Sequence, residues 1–70
     1  PANNTLLSAS IVAPTAEAAD AYATYCMVIG LEASQQFIAS RPDLEGCLIF
    51  SNPDGSMSEW RSEGFNLLQQ

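Results

Sequence analysis

A proline-free, alanine-rich run of 26 residues, Thr15 to Ser40 (TAEAADAYATYCMVIGLEASQQFIAS), constrains this chain more than any other feature. Ala, Leu, Met, Glu and Gln lose little side-chain freedom in a helix, so the local preference is helical. Thr15 suits the N-cap, where its hydroxyl can accept from a first-turn amide. Glu17 and Asp20 follow near the positive end of the helix dipole. Pro42 stops the run and pushes Arg41 out of helical geometry. An unbroken helix of this length would be ~39 Å long, whereas a compact chain of 70 residues has a radius of gyration of only ~11 Å. The expectation is therefore a break or kink near Gly30, or a dimer that shelters the whole helix.

Ala19, Ala23, Cys26, Gly30 and Ala33 recur at spacings of four and three, which places a strip of small residues along one face. Such a strip lets a helix sit close to a sheet or meet a helix of a second subunit. Tyr22, Tyr25, Ile29 and Phe37 form a neighbouring strip, and Met27, Leu31 and Ile38 a third. From Tyr25 to Leu31 the segment is apolar nearly all round, a pattern that signals burial on more than one side.

The flanks read as strands. In Thr5–Val12, Leu7, Ala9 and Ile11 alternate with Leu6, Ser8, Ser10 and Val12. After the helical run, Cys47-Leu48-Ile49-Phe50 is a short apolar strand, and Asn52-Pro53-Asp54-Gly55 is a turn signature. Pro presets φ, Asn and Asp bond to nearby backbone, and Gly takes the left-handed position, which fits a type I turn closed by a G1 bulge. If Asn52 faces Ser56, then Phe50 faces Ser58 and Leu48 faces Trp60. Leu48, Phe50 and Trp60 then share the face that meets the helix. Cys47, Ile49, Met57, Glu59 and Arg61 share a wetter one. Phe65 to Leu68 is apolar enough to dock as a helical turn or short strand. The fold class expected is α+β: a single domain of β-α-β-β order, the long helix packed on a three-stranded mixed sheet whose first two strands run parallel. One helix covers one sheet face, so the other face or an edge must find a partner.

Composition limits the function. Two arginines, no lysine, no histidine and eight carboxylates give a net charge of −6. Direct nucleic-acid binding needs clustered Lys and Arg and is excluded on these grounds; an anionic membrane surface is disfavoured likewise. A protein partner with a basic surface is allowed. A short chain that is 47 % hydrophobic argues for self-association, so a homo-oligomer is expected. Cys26 and Cys47 read as small core residues rather than a disulfide. No basic segment precedes an apolar core, so no leader is expected and the cytoplasm is the default compartment.

The chemical inventory is thin. Without histidine there is no Ser-His or Cys-His pair, and two cysteines alone do not make a zinc site. No glycine-rich phosphate loop and no calcium-loop spacing occurs. No catalytic residue, no metal ligand and no cofactor is therefore assigned. Pro1, ahead of a strand-helix-strand-hairpin order, resembles the amino-terminal proline of oxalocrotonate-type tautomerases, in which the free amine is the base. A processed initiator, or simply a chain boundary, is the simpler account of it.

LEGCLIF, NPDGS and SEWRSEGF, within Ser40–Phe65, are similar to the middle of the antibiotic-biosynthesis-monooxygenase-like dimeric α/β barrels. Glu45, Gly46, Cys47, Leu48, Glu59, Trp60, Ser62 and Phe65 carry the resemblance. It implies a ferredoxin-like half that dimerises. The leading functional expectation is a small acidic interaction module that binds and blocks a protein partner, as an inhibitor or counter-defence protein does. The alternative is a barrel-like dimer that binds a small molecule or acts as a monooxygenase-like enzyme. The candidate binding residues are Tyr22, Tyr25, Met27, Trp60, Glu59 and Glu63, with Phe50 joining the aromatic lining in the alternative.

Overall fold

Thr15 starts the helical run as its sequence suggests. Its side-chain oxygen accepts from the Ala18 amide at 3.0 Å, and helix α1 spans Ala16–Ile29. The computed structural model describes residues 4–65, so Pro1 and Asn66 to Leu68 lie outside the described residues. The element order is β1 (Thr5–Val12), α1, α2 (Leu31–Ala39), β2 (Glu45–Ser51) and β3 (Met57–Arg61). It is an α+β fold, with two helices packed on a three-stranded sheet.

The expected break falls at Gly30, which alone separates the helices. Its φ of 86° and ψ of −178° suit glycine and few other residues. The Gly30 amide donates to the Cys26 carbonyl at 2.9 Å, closing α1, while its own carbonyl accepts from the Ser34 amide at 3.0 Å, opening α2. Ser34 is fully buried, and its hydroxyl donates to the same Cys26 carbonyl at 3.0 Å. One residue thus redirects the chain, and one serine ties the two helix ends together.

That joint overturns the expected sheet. All three strands are antiparallel, in the order β1-β2-β3, rather than mixed. The chain leaves the sheet at Val12 and re-enters at Glu45, which is Val12's direct partner. A single straight helix would carry the chain to the far end and give a parallel pair. The second helical segment brings it back to the end it left.

The β1 faces also differ from simple alternation. The register slips between Leu6 and Ser8, where a bulge accommodates one extra residue. Leu6 therefore joins Ala9 and Ile11 on the helix side, and Leu7, expected with them, is exposed. A one-residue slip moves a side chain across the sheet.

The hairpin matches its sequence reading. Asn52 donates to the Ser56 carbonyl at 2.7 Å, Gly55 donates to the Asn52 carbonyl at 2.9 Å, and Gly55 has φ 92°. Leu48 faces Trp60 and Phe50 faces Ser58. The core lies between helices and sheet. Leu6, Cys26, Ile38 and Leu48 are buried at its centre, with Ala9, Ile11, Leu31, Phe37, Phe50 and Trp60 packed around them. Helix α1 lies on β1, and α2 on β2. The small strip of α1 is thus used for close approach to the sheet, with Cys26 fully buried. Burial on more than one side is not met among the described residues, since Tyr25, Met27 and Val28 stay exposed, Val28 at 79 %.

Candidate functional site

Beside the C-terminal end of α2 an open cleft of about 220 Å³ is lined by apolar Ile38, Leu44 and Trp60 and by charged Arg41, Glu45 and Glu63. Ordinary drug-sized pockets occupy roughly 300–1,000 Å³, so this cleft suits a side chain or a small fragment. Its walls follow from the elements. The antiparallel register sets Trp60 opposite Leu48. Pro42 ends the helix and leaves Arg41 at the cleft mouth.

Glu45 is held from two sides. Ser62 donates its hydroxyl to Glu45 Oε1 at 2.5 Å, and the Gly64 amide donates to the same oxygen at 3.0 Å. Ser62 also accepts from the buried Gly46 amide at 2.8 Å and returns its own amide to the Gly46 carbonyl at 2.9 Å. This fastens the segment after β3 to the start of β2 and seats Phe65, which is buried.

Arg41 is committed. Its Nε and Nη2 donate to the two oxygens of Asp43 at 3.1 and 3.0 Å, and Nη2 reaches the Tyr22 hydroxyl at 3.3 Å. The guanidinium lies 5.3 Å from the Tyr22 ring centre and 5.6 Å from that of Phe37. Hydrogen bonding to Asp43 and then Tyr22 raises the Arg41 pKa above its ordinary value, and the same Arg41 contact lowers that of Asp43. Arg61 Nε pairs with Glu59 Oε2 at 3.2 Å and lies over the Phe65 ring. Both arginines already meet carboxylates, so neither presents an uncompensated cation to an anionic ligand. Among the described residues no group of His, Cys, Asp and Glu is placed to hold a metal ion.

The expected binding residues divide. Tyr22 and Tyr25 meet on Phe37, with ring centres 5.5 and 5.0 Å away. Trp60 and Glu63 share the cleft. Met27 lies apart on the exposed side of α1. Glu59 sits on the opposite face of the sheet, where it accepts from Cys47 Sγ at 2.9 Å. Phe50 packs on the core rather than into a ligand pocket. Cys47 is buried there although its face is largely wet, and burial, then the Glu59 contact, raises its thiol pKa. Cys26 and Cys47 are both free thiols. Sequence reasoning missed Arg41 as the residue linking the aromatic strip to the cleft, taking it as the residue that Pro42 pushes out of helical geometry. It also missed Ser62 as the clasp, for which the sequence holds no local signal.

Two helices on one face of a three-stranded antiparallel sheet define a two-layer α+β unit whose other sheet face carries no helix among the described residues. Residues 1–48 match the model of the ApbE family. The chain belongs to that family. The match spans β1, both helices and the first part of β2, and overlaps the monooxygenase-like stretch only over residues 40–48. No curated protein and no solved structure matches the chain. No helix among the described residues is long and apolar enough to cross a membrane.

Proposed function

We propose that this chain is a docking unit of a flavin-transferring protein. The family match over residues 1–48 carries the reading, because ApbE is a flavin transferase family. The described residues add a surface rather than a reaction centre. The cleft is small, both arginines are engaged, and apolar side chains stand exposed on two sides: Tyr25, Met27 and Val28 on α1, and Leu7, Ile49 and Met57 on the sheet. In this reading the unit works by covering a complementary polypeptide surface, and its charge of −6 favours a basic one. The interaction role expected from composition is kept in that form. The cytoplasm is the compartment we propose with it, where free thiols such as Cys26 and Cys47 persist.

The test is a titration of the purified chain with flavin mononucleotide and flavin adenine dinucleotide, read by flavin fluorescence and anisotropy. No saturable binding to the chain alone is expected. Tight stoichiometric binding would place the flavin site within these residues and overturn the docking reading.

A further inference from the structure

We propose that the free edge of β1 pairs with β1 of a second copy of this chain. The inference goes beyond the flavin-transferase assignment and rests on the docking reading. The two sheet edges differ. β3 has five residues, two of them charged, Glu59 and Arg61. Short length and charge are devices that keep an edge from pairing. β1 has eight residues, TLLSASIV, with no charge and no proline. Its single protective feature is the bulge at Leu7, which leaves Ser8–Val12 in regular register with β2. The backbone groups on the far side of that stretch have no strand partner among the described residues.

Charge selects the occupant. All eight carboxylates fall outside β1. Like copies meeting through β2, β3 or the connecting turns would bring carboxylates together, whereas the β1 edge lets two acidic chains pair strands without one. In an antiparallel, two-fold pairing centred on Ser10, Ser10 faces its own counterpart and Ser8 faces Val12 of the other copy. These residues are exposed and small or modest in size. Isologous pairing of this kind closes the assembly at two copies. It joins two three-stranded sheets into one and removes both long edges.

The test is light scattering from micromolar to millimolar chain for the wild type, Ser10→Lys, Ser10→Glu and an equimolar mixture of the two variants. The wild type is expected to approach twice 7.5 kDa at high concentration. Each variant alone sets like charges face to face and is expected to dissociate at least ~10-fold more readily, a loss of about 1.4 kcal/mol. The mixture restores the dimer, which also shows that both variants fold. Should S10K lose the wild-type circular dichroism, the double variants Ser8→Lys/Val12→Lys and Ser8→Glu/Val12→Glu give the same comparison at the neighbouring pairs. A wild-type monomer at every concentration overturns the proposal, and so does a dimer whose affinity is the same in all variants. Neither result touches the flavin titration, so the two readings fail separately.

Discussion

Replacing Gly30 by alanine isolates the conformation that turns one helix into two. A Cβ built on Gly30 meets nothing within 4 Å, so the substitution creates no clash with the rest of the fold. What remains is the backbone cost of an L-residue held at φ 86° and ψ −178°, about 1–3 kcal/mol for such glycine-only regions. Alanine also favours a continued helix by about 1 kcal/mol over glycine, which works against the joint. A chain of 70 residues has a total stability of roughly 4–10 kcal/mol, so the loss is a large share. With a urea m-value of about 1 kcal/mol/M for so small a domain, the unfolding midpoint should fall by roughly 1–3 M at unchanged m. A synthetic chain with D-alanine at position 30 supplies the control. For a D-residue this φ lies in a favoured region, so the midpoint should recover. An L-alanine variant as stable as the wild type, or a D-alanine variant no better than the L form, would refute the reasoning.

Three further outcomes follow from the clasp, the carboxylates and the Cys47 thiol. Ser62→Ala removes the acceptor of the buried Gly46 amide, at a cost of about 1–3 kcal/mol; a loss under ~0.5 kcal/mol in urea unfolding would mean that water takes over the bond. Asp43, Asp54 and Glu59 titrate below their ordinary range, through Arg41, through Ser56, and through Cys47 then Arg61, respectively. Their contribution is thus complete above about pH 5 and is lost as pH falls through their lowered folded values, below about pH 4. The Cys47 thiol is shifted the other way, so its contribution is complete below about pH 8.5 and is lost above that. Unfolding midpoints measured from pH 3 to 10 should show both arms. Asp43→Asn should shrink the acid arm, and Cys47→Ser the alkaline one.

The parts of the fold written locally were legible in the residues. Thr15 as cap, Gly30 as break, Pro42 as stop and the Asn52–Gly55 turn each act on backbone within a few residues of themselves, and all four stand where the sequence puts them. The turn even transmits its register as far as Leu48 and Trp60. The misreadings are those that depend on distant partners. The direction of β2 follows from where the second helix delivers the chain, and strand alternation does not encode that. The face of Leu6 depends on a bulge against β2, and Leu6–Leu7 looks the same with or without it. At the candidate site, the spacing that set Tyr22, Tyr25 and Phe37 on one strip anticipates their meeting, although it occurs across two helices rather than along one. Arg41 completes that cluster from a loop, and residue type alone does not announce such a meeting.

The antiparallel pairing of β1 with β2 also sets an order of assembly. The β2–β3 hairpin closes across a few residues, while Thr5 must find Ser51 across the whole helical insertion. Loop-closure entropy rises with the length enclosed, and contacts distant in sequence form late. The hairpin and the helical joint can therefore form early, with β1 laid down last as the strand that completes the core. A nascent chain has no core to close until β2 has been made, so for this unit most of its length must be available before it can fold at all.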